Sequence, residues 1–375
     1  MPRPKLEKIV IQGFKSLKSC EISLKSINVL IGANGAGKSN LISFLKMLNY
    51  MTTQALQRYI ADAGFANSIL YYGAKTTPQI ETTLTFQTEH GENKYHARLF
   101  YVAGDTLAFA DETVEFARTG QRNPVRREYG AGHKESALLG ARGDDKTAKV
   151  MNDLLSLCRV FQFHDTSPTA HVRQHCELDN NRYLYHDAGN LASFLYRLQQ
   201  MEPSYFERIV ATIRQMAPFF GEFVLEPLAL NPTYTSLRWR ERDTNYEFGP
   251  HQLSDGTIRA MALITLLLQP EERLPALIVL DEPELGLHPT AAALVCSLIR
   301  QASNYSQVVL ATQSTFMLDE FDPEDVIVVE RQTKSGQFQS TDFRRLDVDK
   351  LKEWVAEFSL ADLWEKNVLG GNPRR

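Results

Sequence analysis

The chain has 375 residues, 43% hydrophobic and 23% charged, with a net charge of −4. This is the balance of a globular protein with room for one large α/β domain or two lobes, and it lacks the overall basic field of a dedicated nucleic-acid binder. Four scattered cysteines (Cys20, Cys158, Cys176 and Cys296) without C-x-x-C spacing argue for reduced thiols in a cytoplasmic protein and against a disulfide framework or a zinc site. The opening Met-Pro-Arg-Pro-Lys has no apolar signal-peptide core, and the longest apolar run, around Met261 to Leu268, is too short to span a bilayer, so no membrane association is expected.

In chain order, Lys8–Gln12 reads as a first strand ending at Gly13-Phe14-Lys15-Ser16. Glu21–Leu24 reads as a second and Ile27–Ile31 as a buried third. The third runs into Gly32-Ala33-Asn34-Gly35-Ala36-Gly37-Lys38-Ser39, which fits the phosphate-cradling pattern G-x-x-x-x-G-K-[ST]. A helix is expected over Asn40–Asn49, with Leu41, Phe44, Leu45 and Leu48 on one face. Strand, glycine loop and helix are what a polyphosphate requires. Glycines let backbone N–H groups converge on phosphate oxygens, and the helix N-terminus adds the positive end of its dipole. Lys38 would reach the β- and γ-phosphates of a nucleoside triphosphate, the Ser39 hydroxyl would sit on Mg²⁺, and Asn40 closes the binding set.

From about Asn67 to Phe116 the pattern alternates, most clearly in Ile80–Phe86, Tyr95–Tyr101 and Thr113–Phe116, which predicts antiparallel sheet. Residues 118–149 carry eight Lys or Arg against four Asp or Glu. This segment reads as a solvated loop or, alternatively, as a contact for a DNA or RNA backbone through residues such as Arg122, Arg126 and Arg127. A helix over Val150–Leu157, a strand over Val160–His164, helices over Asn190–Gln200 and Pro203–Ala217, and strands within Glu222–Trp239 come next. Helix Ser254–Leu268, strand Ala276–Leu280, helix Thr290–Ala302, and strands Gln307–Leu310 and Val326–Glu330 then alternate as in a parallel sheet. Lys350–Leu369 reads as a closing amphipathic helix with Trp354, Phe358, Leu363 and Trp364.

The apolar strand ending in Asp281-Glu282-Pro283 supplies a second chemical element. It is expected beside the loop strand, with Asp281 holding Mg²⁺ and Glu282 polarising the attacking water as general base. Upstream, Leu253-Ser254-Asp255-Gly256-Thr257 opens a helix, with Ser254 as its N-cap, and offers N–H groups to an anion. Downstream, the strand ending in Ala311-Thr312-Gln313-Ser314 places a polar side chain where it can sense a γ-phosphate.

The ordered set GANGAGKS, LSDGT, LIVLDEPELGLHP and LATQS resembles the ABC-type ATPases, and within them the RecF/SMC/OLD-like branch, or AAA-21 type; Ile9–Leu17 is similar to that branch's first strand. The resemblance covers most of the chain. It implies an α/β P-loop head with a mixed or parallel core sheet, an antiparallel β lobe and a helical lobe. Within a single head, residues 1–165 would form an N-terminal lobe, 166–250 a connecting region, and 251–375 a C-terminal lobe. It also implies that Gly32–Ser39 is the Walker A loop and Asp281 and Glu282 the Walker B pair. Ser254, Asp255 and Gly256 fall in the signature motif, which meets ATP held by a second subunit. Glu284–Pro289 would be the D-loop, with His288 near a dimer interface, and Gln313 takes a switch position commonly held by His. Gln can orient water without carrying a proton, so turnover is expected to be slow. Gln162 and His164 are candidates for the Q-loop.

The resemblance further implies Mg²⁺-dependent ATP hydrolysis by a head-to-tail homodimer that ATP closes and hydrolysis opens. The 215 residues between Lys38 and Ser254 are β-rich and lack heptads, so a compact head without a coiled-coil arm is expected. The 45 residues after the Val326–Glu330 strand leave little room for a nuclease domain, which would then be a separate chain. Two readings stand side by side: an ATPase acting on DNA in repair or maintenance, and the sensor ATPase of a two-component anti-phage system with a separate nuclease or toxin effector. An ABC transporter ATPase subunit is a weaker third, because the insertion is long and the switch residue is Gln.

Overall fold

The computed structural model describes residues 3–121, 123–334 and 337–371. They fall into two units. The first comprises Met1–Val160, Pro275–Val279 and Ser306–Arg375, and the second Phe161–Leu274 and Leu280–Tyr305.

The first unit opens with β1 (Lys5–Phe14), β2 (Leu17–Ser23) and β3 (Ile27–Ile31), then α1 (Lys38–Thr52), α2 (Leu56–Asp62) and α3 (Phe65–Ile69). Strands β4 (Gln79–Thr88), β5 (Gly91–Val102), β6 (Thr106–Arg118) and β7 (Val125–Glu128) come next, then α4 (Leu138–Ala141), α5 (Lys146–Ser156) and β8 (Cys158–Phe161). The alternating strands form an antiparallel sheet in the order β2-β1-β4-β5-β6-β7. Its inward residues, among them Ile9, Ile11, Phe14, Leu84 and Tyr95, share one core with the α1 face of Leu41, Phe44, Leu45 and Leu48. Phe14 meets Phe44 edge to face at 5.6 Å.

The segment 118–149 is not a plain loop. Val125–Glu128 pairs with β6, from Phe116↔Val125 to Thr113↔Glu128, and forms the sheet edge. A buried carboxylate secures the stretch beyond β7. Glu112, wholly inaccessible, accepts hydrogen bonds from Tyr95 Oη at 2.8 Å, Ser136 Oγ at 2.6 Å and Ala137 N at 2.8 Å. Polar anchoring thus replaces the large apolar residues this stretch lacks.

The second unit contains β9 (Cys176–Glu177), α6 (Leu191–Met201), α7 (Pro203–Met216), β10 (Phe220–Val224), β11 (Tyr234–Thr235), β12 (Arg238–Glu241) and β13 (Glu247–Phe248). Helix α8 (Asp255–Leu268) comes next, buried along most of its length and packed against α7 and against α9 (Pro289–Ala302). Between α8 and α9 the chain runs through β14 (Leu277–Asp281) and then back to the first unit through β15 (Gln307–Ala311), α10 (Thr315–Asp319), β16 (Val326–Lys334), β17 (Gln337–Arg345), α11 (Val348–Glu357) and α12 (Leu360–Glu365).

The core sheet has the order β17-β16-β3-β15-β14-β8. Strand β3, buried at all five positions, runs parallel to β15 on one flank (Val308↔Ile27 to Ala311↔Leu30) and to β16 on the other (Val326↔Val29 to Val328↔Ile31). The Asp281 strand therefore does not lie beside the loop strand, as expected from sequence; β15 separates them. Two buried amides fix that arrangement. Asn28 Nδ2 donates to Val308 O at 3.2 Å, and the Gln307 carboxamide accepts from Leu6 N at 2.7 Å and donates to Leu6 O at 3.1 Å.

The expected terminal helix is two helices. Ser359 interrupts it with a reciprocal cap: its Oγ accepts from Asp362 N at 3.2 Å while the Asp362 carboxylate accepts from Ser359 N at 3.3 Å. No described helix is long and apolar enough to cross a membrane.

Candidate functional site

In the first unit, β3 delivers the glycine loop to α1. No side chain caps α1, and no acidic residue sits in its first turn. The N–H groups of Gly35, Gly37 and Ser39 have no backbone acceptor among the described residues. A helix start left this way attracts anions. Gly37 has φ +122°, and a Cβ there would strike the Thr341 side chain. Thr341, buried on β17, braces the loop: its Oγ1 donates to Ala36 O at 2.9 Å and pairs with Ser16 Oγ at 2.8 Å. Lys38 Nζ donates to the carbonyls of Gly32 and Ala33, so a cation is already held at the loop. Asn40 Nδ2 donates to Ser16 Oγ at 2.6 Å, and Ala33 N donates to Gly371 O at 2.7 Å; both groups are engaged within the chain. Asn34 and Ser39 are exposed, and Ala36 is buried. A cavity of about 620 Å³ opens beside the loop, lined by Asn34, Ala36, Glu330, Arg331 and Arg344 among others.

In the same unit, β15 ends at Ala311 and hands the chain to a hydroxyl-ordered turn. Thr312 Oγ1 accepts from Ser314 N at 2.9 Å, and Ser314 caps α10 by accepting from Met317 N at 3.2 Å. Gln313, half-buried, sits between them.

The second unit holds the carboxylates. Asp281 closes β14, and Glu282 comes next at φ +41°, a left-handed conformation that costs a non-glycine residue about 1–3 kcal/mol and that clusters at functional sites. Gln162 Nε2 donates to Asp281 Oδ2 at 3.1 Å, and His164 Nε2–H donates to Asp281 O at 2.8 Å. Both Q-loop candidates thus meet on Asp281. Arg259, on α8, donates to Phe163 O at 3.1 Å, His164 O at 2.7 Å and Leu285 O at 3.0 Å, joining the segment after β8 to the turn after β14.

At the start of α8, Ser254 is the N-cap, its Oγ accepting from Thr257 N at 3.2 Å. Ser254 and Asp255 are exposed. Gly256 approaches Gly286 O so closely that any Cβ would collide with it. Arg173 donates to Asp255 Oδ1 at 2.8 Å; that bond, with another from Thr166, holds the Asp255 carboxyl below the usual carboxylate range. His288 caps α9, its Nδ1 accepting from Thr290 N at 3.3 Å.

Parts of the chain are similar to known proteins. Residues 166–319 match the family model described as "AAA domain, putative AbiEii toxin, Type IV TA system", and residues 5–100 match "AAA ATPase domain". The chain is 22% identical over 335 residues to the OLD nuclease of Thermus scotoductus, across 84% of this chain and 60% of that protein. It therefore spans about three-fifths of that relative's length. Among solved structures, an SMC head bound to the C-winged helix domain of ScpA superposes with a TM-score of 0.60 at 15% identity, covering 93% of this chain and 99% of that one. A Smc head with an extended coiled coil, bound to the C-terminal domain of ScpA derived from Pyrococcus furiosus, gives 0.58 at 15%, with coverage of 95% and 99%. The chain has the fold of an ABC-type ATPase head and resembles the RecF/SMC/OLD-like group.

Three residues that brace these loops give no signal in the sequence: Thr341, Arg173 and Arg259. Their contacts with Ala36, Leu253 and Phe163 each span 80 residues or more, so nothing near them in sequence announces those contacts. Of the basic residues, Arg122 lies outside the described residues. Arg126 pairs with Glu128 at 3.2 Å and Glu115 at 3.6 Å, which offsets much of the positive charge at the sheet edge.

Proposed function

We propose that this head binds ATP on the Gly32–Ser39 loop, associates with a second copy, and hydrolyses ATP to separate again. The observation that carries the reading is the uncapped start of α1, where the N–H donors of Gly35, Gly37 and Ser39 have no backbone acceptor among the described residues and the Lys38 ammonium lies at the same loop. Gly32, Ala33, Asn34, Gly35, Ala36, Gly37, Lys38, Ser39 and Asn40 form or brace the cradle. Lys38 turns from its carbonyls to the phosphates. Ser39 Oγ in the first unit and, in the second, the Asp281 carboxylate that Gln162 orients are each hard oxygen donors of the kind Mg²⁺ takes. Mg²⁺ held by such donors would offset charge on the β- and γ-phosphates. Glu282 accepts the proton of the attacking water, and Gln313 orients that water without taking a proton. Ser254, Asp255 and Gly256 of the second copy close over the γ-phosphate. Phosphate release measured for the parent and for Lys38→Ala tests the assignment: loss of release supports it, and parental release in the variant refutes it.

The output of such a switch would be DNA repair or maintenance, with DNA as a partner. A second reading is favoured by the match to an AAA domain described as a putative toxin of a toxin–antitoxin system and by the likeness to an OLD nuclease. In that reading the head is a sensor ATPase of an anti-phage system governing a nuclease or toxin. DNA-stimulated hydrolysis by the purified chain favours the first reading; co-purification with a nuclease or toxin encoded beside it favours the second.

A further inference from the structure

The start of α8 carries a residue that conflicts with an anion-receiving role. Asp255 is its first residue, with a side chain 63% exposed. A carboxylate at a helix N-terminus satisfies the dipole by itself and repels a second anion. Behind it lies Arg173, with a side chain 6% exposed. All five of its N–H donors are used. Nε donates to Thr166 O at 2.7 Å, Nη1 to Pro250 O and to Leu253 O at 3.2 Å, and Nη2 to Leu253 O at 3.2 Å and Asp255 Oδ1 at 2.8 Å. A guanidinium fixed by four backbone contacts cannot swing toward solvent, so Asp255 is drawn back to it. Lysine, a flexible point charge, could not replace this fork.

We infer that Arg173 is a positioning residue of the nucleotide switch: it cancels and retracts the Asp255 charge so that the Ser254–Gly256 end of α8 can receive the triphosphate of a second copy. The inference rests on the proposed association of two ATP-bound heads. Arg259 adds positive charge on the same helix but spends its donors on Phe163, His164, Leu285 and Thr166 and does not hold Asp255.

The test uses the full chain carrying Glu282→Gln to slow hydrolysis. ATP-dependent self-association is measured by sedimentation, and binding of a fluorescent ATP analogue at low protein concentration reports on the phosphate loop and the folded state. Arg173→Gln is expected to leave analogue binding intact and to weaken association about tenfold. Adding Asp255→Asn to Arg173→Gln is expected to restore association to within about threefold, although it replaces none of the lost backbone bonds. Asp255→Asn alone, which does not depend on the Arg173 variant folding, is expected to strengthen association about threefold. No rescue in the double variant, or no gain from Asp255→Asn alone, overturns the inference while the association reading stands. Absence of ATP-dependent association in the Glu282→Gln parent overturns both.

Discussion

Gln162 holds its side-chain amide 3.1 Å from the Asp281 carboxylate, and His164, two residues on, donates to the same residue's carbonyl at 2.8 Å. The turn after β8 thus sets both the orientation of Asp281 and the backbone from which Glu282 departs. Gln162→Ala is expected to lower the rate of phosphate release about 10- to 100-fold with little change in nucleotide affinity, as loss of an orienting partner does. Parallel measurements of turnover and of ATP-analogue binding check this; equal loss in both would mean that Gln162 supports the fold instead.

Glu282 combines a left-handed backbone with the position proposed for the general base. Glu282→Gln should reduce hydrolysis by about 10²–10⁴-fold and leave ATP bound. Glu282→Gly should be equally inactive yet no less stable to heat, because relief of φ strain offsets the added chain entropy. A melting temperature well below the parent's for the glycine variant would contradict this account of the backbone.

Two glycines of the phosphate loop should respond differently. At Gly35 (φ +74°) a Cβ meets nothing within 4 Å, so Gly35→Ala bears only the conformational cost, about 1–2 kcal/mol. At Gly37 a Cβ also strikes Thr341. Gly37→Ala should therefore lose at least about tenfold more ATP-analogue affinity than Gly35→Ala, and Thr341→Ser in the same chain should recover part of it. Equal losses in the two alanine variants would remove Thr341 from its bracing role.

Because Arg126 is paired with Glu115 and Glu128, the β7 edge should contribute little to DNA binding. Neutralising Arg126 and Arg127 should leave the salt dependence of duplex binding unchanged. A slope reduced by about two would show that both contact phosphate.

Much of this head was legible in the sequence because its chemistry is local. The Gly32–Ser39 loop, the Ser254 cap, and the carboxylates at the end of an apolar strand each announce themselves within a few residues. The order of the core strands was not legible. Local pattern shows that Leu277–Asp281 is a buried strand but not that β15, pinned by Asn28 and Gln307, intervenes before β3. Ordering around Glu112 was hidden as well, since a carboxylate satisfied by Tyr95, Ser136 and Ala137 looks in sequence like any surface acid. The break at Ser359 is hidden because the apolar periodicity continues past it, while its cap with Asp362 starts a new helix.

Association of two heads through ATP is tested most directly by the mass of the Glu282→Gln chain in light scattering, with and without ATP and Mg²⁺. A monomer that doubles in mass only when both are present, and does not when Lys38→Ala is added, is the expected result. A monomer under every condition, with ATP demonstrably bound, would contradict it.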